Sequence, residues 1–328
     1  MNYKLYILTG IFLLHVSSAL PQSPGHRHCI MFYNVENLFH PSNDPDVADD
    51  DFTPDGNRRW TFYRYNKKLT GICQVILAAN GWDPPEVICL SEVENAAVLK
   101  DLTRHPFLVK FNYRYLHRDG PDFRGIDVAI LYREDRAVCL DTTWITISDS
   151  QGNPVKTREI LTAKFLLEQD TVLVAANHWT SKYGGAMETE PKRVMQARIL
   201  GRFIDSAITS QPGLHIVAGG DFNDVSGSKP LRMLLNSGRL QQIVPASGKS
   251  TYKYQGRWDS LDHLFIGGKL KAGNCRAEIP DLAFFLEEDE KETGMRPYRT
   301  YRGFAYSGGI SDHLPLLLHV DQGRDQGH

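Results

Sequence analysis

Residues 214–224, LHIVAGGDFND, run a short apolar stretch, Leu214 to Ala218, straight into Gly219, Gly220 and Asp221. Such a run, bounded by glycines, reads as a buried strand that stops at the glycine pair. Two carboxylates and an amide, Asp221, Asn223 and Asp224, follow at once. The same arrangement recurs along the chain. Asn34-Val35-Glu36-Asn37 ends a strand expected over His28 to Val35, Ser91-Glu92-Val93-Glu94 follows Val87 to Leu90, and Asn177-His178-Trp179 follows Thr171 to Ala176. Ser311-Asp312-His313 adjoins a strand over Leu314 to Val320, and Asp259-Ser260-Leu261-Asp262-His263 opens one ending at Ile266. Any one cluster also reads as a turn or a helix cap. Six in one chain point to chemistry placed at strand ends by a rigid scaffold.

The rest of the pattern fills in the scaffold. Asp127 to Tyr132 and Thr157 to Glu168 read as further strands, the first apolar on both faces. Leu69, Ile72, Cys73, Ile76 and Leu77 follow helical spacing, with Asn80-Gly81 as a stop, and Lys192 to Ile208 reads as a second helix. Asn37 to Gly56 is rich in Asp, Pro and Asn and reads as a loop. No repeat and no long linker interrupts this order. The expectation is one α/β domain over residues 28–322, with two packed mixed β-sheets flanked by helices.

Composition limits the alternatives. The 328 residues are 41% hydrophobic and 23% charged, which excludes fibrous and disordered chains. Lys and Arg total 37 against 39 Asp and Glu, so no basic excess points to bulk polyanion binding. The five cysteines include no CxxC pair, and neither a disulfide scaffold nor a zinc–thiolate site is expected. At the N-terminus, Lys4 precedes a mostly apolar run from Leu5 to Val16, and Ser17-Ser18-Ala19 supplies small residues. This is the layout of a signal peptide over residues 1–20, too short to span a bilayer. Export to the periplasm or beyond is expected. Cleavage takes Lys4 from a net charge of −2, leaving −3.

The clustered residue types suit phosphate-ester chemistry. Carboxylate and amide oxygens hold hard divalent ions, and an imidazole supplies a base near neutral pH. The stretches FYNVENLF (32–39), ICLSEVEN (88–95), RGIDVAILYR (124–133), ANHWTS (176–181), GGDFND (219–224), DSLDHLFI (259–266) and SDHLPLLL (311–318) also carry a resemblance. In order and content they resemble the endonuclease/exonuclease/phosphatase superfamily, the group of deoxyribonuclease I, exonuclease III and bacterial sphingomyelinase. The resemblance implies a four-layer α/β sandwich and metal-dependent hydrolysis of phosphate esters.

Carried over position by position, the resemblance makes Glu92 and Asn34 metal-binding residues, with Asp312 a further metal or phosphate-site carboxylate. Mg2+ is the implied ion, with Mn2+ or Ca2+ as substitutes. His313 becomes the general base and Asp262 its orienting partner. Asp221 and Asn223 position water and phosphoryl oxygens, and His178 donates to the phosphate or leaving group. Lys182, Arg193 and Asp127 are candidate phosphate or substrate contacts, and His178 is the expected partner of Asp127. The start NVEN departs from the exonuclease III-like NxNG, while HWTSKYGGAMETEPKRVMQAR (178–198) resembles an exported bacterial branch.

Two rivals fall on sequence grounds. A calcineurin-like metallophosphatase would place GHxH late, whereas Gly25-His26-Arg27-His28 lies beside the leader. An inactive binding module would have lost Glu92, Asp221 or His313, and all three are present. The expected substrate is a phosphate ester acted on by a monomer. Diesters and nucleic acid lead, with phosphomonoesters, phospholipids and inositol phosphates as alternatives.

Overall fold

Two parallel strand pairs, one at the centre of each sheet, organise the molecule. The computed structural model describes residues 26–280 and 282–321, so the leader expected over 1–20 lies outside it. The first sheet contains β1 (His26–Leu38), β2 (Val87–Val93), β3 (Tyr113–Leu116), β4 (Asp127–Arg133), β11 (Cys275–Glu278) and β12 (Leu316–Asp321). The second contains β5 (Ala137–Ile145), β6 (Ile160–Leu167), β7 (Asp170–His178), β8 (His215–Asp221), β9 (Leu240–Ile243) and β10 (Asp262–Gly268). Their orders are β11-β12-β1-β2-β4-β3 and β5-β6-β7-β8-β10-β9. Only β1/β2 and β7/β8 are parallel, and every other neighbour within these two sheets is antiparallel.

This topology has a direct functional consequence. The C-terminal ends of β1, β2, β7 and β8 lie at one end of the sandwich. Strands β10 and β12 run antiparallel to their neighbours, so their beginnings lie at that same end. All six polar clusters of the sequence therefore meet at one rim, where open α/β sheets place their ligands.

Helices cover the outer faces, giving four layers. Helix α1 (Phe62–Ala78) starts at Thr61, whose hydroxyl accepts from Arg64 N, and it buries Tyr65, Leu69, Ile72 and Ile76 in the same core as the first sheet. Helix α2 (Ala96–Arg104) has no counterpart in the sequence reading; Asn95 caps it by accepting from Ala97 N and Val98 N. Helices α3 (Ala186–Ser210) and α4 (Lys229–Leu235) pack Ala197, Leu200, Ile204, Leu231 and Leu234 against Phe222, Ala218 and Phe265 of the second sheet. Between the sheets lie Phe32, Ile130, Phe165, Val174, Val217 and Leu264, all within 1% of full burial. Each such side chain contributes about 1.5–3 kcal/mol when fully buried. The sheets touch most closely at Gly219, where a Cβ would stand 2.8 Å from the Phe32 ring.

Several boundaries differ from expectation, and two have a visible cause. Helix α3 begins six residues early, at Ala186, and runs through Pro191. Its first turn is pinned from the side: Arg193 donates to the Ala186 carbonyl and to Thr189 Oγ1, and Thr189 Oγ1 donates to the Gly185 carbonyl. Strand β6 begins at Ile160 rather than Thr157, because Arg158 and Glu159 are drawn into side-chain pairs with Asp122 and Arg118.

Candidate active site

The strand ends are not regular, and their irregularity aims the polar groups. Pairing of β2 with β4 jumps between Ser91 and Val93, so Glu92 sits in a bulge with φ 65°. Pairing of β1 with β2 shifts between Asn34 and Leu38, where Glu36 and Asn37 have φ near 50°. Asn223 also has a positive φ, 50°. Left-handed backbone at non-glycine residues costs free energy, and bulges re-aim side chains beside active sites. Gly220 is needed for its own reason: at φ 126°, a Cβ would fall 2.1 Å from the Asn177 carbonyl oxygen.

Three carboxylates and two imidazoles gather at this rim. The Asn34 side-chain nitrogen donates to Glu92 Oε1 at 3.3 Å and to Asp221 Oδ2 at 3.1 Å. Asn37 N donates to Glu92 Oε2 at 2.8 Å, and Asn223 N donates to Asp221 Oδ1 at 2.8 Å. Asn34 was expected as an oxygen ligand. Instead it turns its amide nitrogen to the carboxylates, and its oxygen accepts from Glu36 N at 2.9 Å. It therefore holds the two carboxylates together. Burial pushes the Asp221 carboxyl up to about 7, against the pull of His313 and with the help of Asp262.

His313 and Asp262 form a tight pair. His313 Nδ1 lies 2.7 Å from Asp262 Oδ2, which also accepts from Thr251 Oγ1 at 2.6 Å. With Nδ1 facing that carboxylate, Nε2 is the free nitrogen, and it stands 3.9 Å from Asp221 Oδ2. Strand register explains the convergence: Asp262 of β10 lies directly opposite Asp221 of β8. The Tyr252 ring packs on His313, centroids 4.8 Å apart. Burial alone would lower His313, but Asp262, Asp221 and Asp312 outweigh it and raise the imidazole to about 10.

His178 is the opposite case. It is buried, and burial together with Arg158, Arg124 and His313 lowers its pKa well below the usual value, leaving a neutral ring. Its Nε2 stands 3.9 Å from Glu92 Oε1 and 3.8 Å from Asp221 Oδ2, too far for hydrogen bonds and open to a third group. Asn223 spends one amide hydrogen on the Trp179 carbonyl at 3.0 Å and keeps one.

The outlying candidates divide. Lys182, partly exposed, lies 3.2 Å from Asp224 and borders the rim. Arg193 does not contact phosphate: it is 2% exposed and donates to Asp224, Thr180, Thr189 and Ala186. Asp127 does not pair with His178. It is buried and accepts from Gly120 N at 2.8 Å, which ties down the loop before β4. Asp312 accepts from Arg299 at 2.8 Å. Thr251, Tyr252 and Arg299 are site neighbours that the sequence reading missed, since they sit in or beside short hairpins without periodicity, while Glu36 lay within the Asn34 to Asn37 cluster but was given no role.

Comparisons with known proteins bear on this arrangement. The Endonuclease/Exonuclease/phosphatase family matches residues 29–322. The chain belongs to that family. Among solved structures, a mannosyl-6-phosphatase from Bacteroides thetaiotaomicron is 15% identical, with a TM-score of 0.59, covering 90% of this chain and 100% of that one. An endonuclease/exonuclease/phosphatase from Bacteroides vulgatus is 15% identical at a TM-score of 0.58, covering 90% of this chain and 99% of that one. A TDP2 from D. rerio, solved with a single-strand DNA product, is 16% identical at 0.55, covering 90% and 99%. At these identities the likeness shows the fold. No curated protein sequence matches the chain.

Endonuclease/exonuclease/phosphatase proteins are associated with Mg2+, and the donor set can be tested for it. Among the described residues, no three His, Cys, Asp or Glu side chains close on one point as a ready-made cage. Mg2+ does not need one, since it is bound by one or two carboxylates and keeps its remaining positions for water and phosphate. Glu92 and Asp221, gathered by one amide and with no Lys or Arg in ion-pair reach among the described residues, fit that demand. No helix of the described residues is long and apolar enough to cross a membrane.

Proposed function

We propose that this protein is an exported, divalent-metal-dependent hydrolase of phosphate esters in which His313 activates the attacking water. The observation that carries the reading is the Asp262–His313 pair, 2.7 Å apart, with its free nitrogen directed at the rim where Asp221, Glu92 and His178 meet.

Each residue then has a task its surroundings suit. Asp262, fixed by Thr251, holds His313 in one tautomer and stabilises the imidazolium when the ring takes the proton of water. Glu92 and Asp221 would hold Mg2+, which would supply positive charge for the phosphate and offset the carboxylates around His313. His178, kept neutral by burial, has a ring N–H to give to a phosphoryl or leaving oxygen without adding charge. Asn223 offers its remaining amide hydrogen to the same group. The apolar leader supports export, and the near balance of charge argues against long polyanions as the main substrate.

A panel assay on protein lacking residues 1–20 tests the reading: p-nitrophenyl phosphate, bis-p-nitrophenyl phosphate, plasmid DNA, sphingomyelin and inositol phosphates, each with Mg2+ and with EDTA. Hydrolysis of at least one that stops in EDTA is expected. Undiminished hydrolysis in EDTA, or none anywhere, contradicts it.

A further inference from the structure

Arg299 lies between two short hairpins, Leu286–Glu288 with Met295–Pro297 and Tyr301–Arg302 with Ala305–Tyr306. Its guanidinium donates from Nη2 to Asp312 Oδ2 at 2.8 Å, directly before His313. Its Nε lies 3.8 Å from Glu36 Oε1 and makes no hydrogen bond. The side chain is 34% exposed. On the other side of the same segment, Tyr252 packs its ring on His313 and pairs with it backbone to backbone.

The other cations near the rim are committed elsewhere. Arg193 and Arg158 are buried and donate to Asp224 and Asp122. Arg124 lies 3.6 Å from Asp122, and Lys182 lies 3.2 Å from Asp224. Arg299 alone among them pairs with a carboxylate of the Ser311-Asp312-His313 segment, beside the histidine of the site.

The backbone that carries Arg299 is held rigidly from below. Glu36 accepts from Thr300 N at 2.6 Å and Tyr301 N at 3.4 Å. Lys68 of α1, 1% exposed, donates to Thr300 Oγ1 and to the Ile310 carbonyl, so one ammonium ties both ends of the 300–310 arch. Gly309 N donates to the Arg299 carbonyl, and Ile310 N to the Tyr298 carbonyl. Burying a lysine and a glutamate is costly, and here they fix the position of one surface arginine.

We propose that Arg299 is a phosphate-binding residue that makes this site favour a phosphomonoester over a phosphodiester. The inference rests on the phosphate-ester reading above. A guanidinium fork takes two oxygens of one phosphate. A monoester phosphate has three non-bridging oxygens, enough for the fork and for the Glu92–Asp221 side together. A diester has only two, and one less negative charge. Asp312 then serves to orient the guanidinium, in place of the metal role the sequence suggested for it.

The test compares wild type, Arg299→Gln and Arg299→Lys on p-nitrophenyl phosphate and bis-p-nitrophenyl phosphate at saturating Mg2+, with melting temperatures to confirm folding. Loss of charge-assisted bonds predicts a fall of about 10–100-fold in kcat/KM on the monoester for Arg299→Gln, carried mainly by KM. The monoester-to-diester ratio should fall about tenfold, with partial recovery in Arg299→Lys. An unchanged ratio, a loss confined to kcat, or a wild type that prefers the diester overturns the inference. If wild type cleaves neither ester, the hydrolase reading is what fails on these substrates. Inorganic phosphate then decides the role of Arg299: stabilisation of wild type but not Arg299→Gln supports it, and equal stabilisation overturns it.

Discussion

The two ends of the same sandwich treat their carboxylates in different ways, although at the end away from the site only Glu86 is buried. At the end away from the site, around a cavity of about 820 Å3, Glu86 lies 3.2 Å from Arg136, Asp83 lies 3.1 Å from Arg133 and 2.9 Å from Arg136, and Asp135 lies 2.8 Å from Arg133. Each carboxylate there has its guanidinium. At the site end, Glu92, Asp221 and Asp262 have none within ion-pair reach among the described residues. Their neighbours are an asparagine amide, backbone N–H groups, a threonine hydroxyl and two histidines. Uncompensated negative charge in a buried place is expensive. A fold that pairs Glu86 at one end, and Asp122, Asp224 and Asp312 at the other, with Lys or Arg while leaving Glu92 and Asp221 without one has kept those two for a cation from solution. Violations of the ordinary rules mark functional sites.

The largest expected effect is catalytic. General-base catalysis is worth about 10²–10⁴-fold, so His313→Ala should lower kcat by that factor with substrate binding nearly unchanged. Asp262→Asn should cost less, because the base survives with its tautomer less well fixed. Steady-state kinetics on whichever panel ester is cleaved checks both, and a His313→Ala enzyme with wild-type kcat would break the assignment.

Stability should then separate the two ends by sign. Asp221 has its carboxyl raised by burial, so ionisation near neutral pH works against folding. In EDTA at pH 8, Asp221→Asn should melt higher than wild type even as activity falls, since the buried charge is gone, the amide oxygen still accepts from Asn223 N, and only the bond from Asn34 is lost. Glu86→Gln, which removes a partner of Arg136, should melt lower, by about 1 kcal/mol for a partly exposed pair. Thermal melts in EDTA decide; shifts of the same sign would erase the contrast between the ends.

Sequence made the scaffold and most of the rim legible. The apolar runs ending at Asn34, Ser91, Asn177 and Gly220 were visible as strands, and Asp262 and His313 stood out because each precedes one. What stayed hidden depends on three-dimensional detail. The bulge that turns Glu92 inward has no sequence signal. Asn34 as donor rather than ligand follows from the competing Glu36 N–H. Arg193 looked like a surface cation because the early start of α3, through Pro191, could not be read from periodicity. Thr251, Tyr252 and Arg299 come from hairpins too short for any pattern.

A smaller effect probes Asp127, a buried carboxyl outside the pair logic of either end. Burial raises it to about 7, with the Gly120 N–H pulling the other way. In the unfolded chain it ionises near 3.9. Between about pH 4 and 7 the unfolded chain has released a proton that the folded chain keeps, so stability falls as pH rises and levels off above about 7. Asp127→Asn removes that slope. Its melting temperature should match wild type near pH 4 and exceed it by an amount that grows to pH 7, where the stability difference is roughly 4 kcal/mol at most. Equal melting temperatures at pH 4 and 7.5 would place the carboxylate in a less buried setting.

The central claim is that the unpaired carboxylates hold a divalent cation for ester hydrolysis, and a Mg2+ titration of EDTA-stripped protein tests it most directly. Hydrolysis of the responsive panel ester is followed for wild type and Glu92→Gln side by side. The account predicts no activity without the ion, saturable recovery in wild type, and, for Glu92→Gln, a half-activating concentration at least about tenfold higher, as for a lost metal contact worth about 1.4 kcal/mol. Full activity before any Mg2+ is added, or identical activation curves for the two proteins, would contradict it.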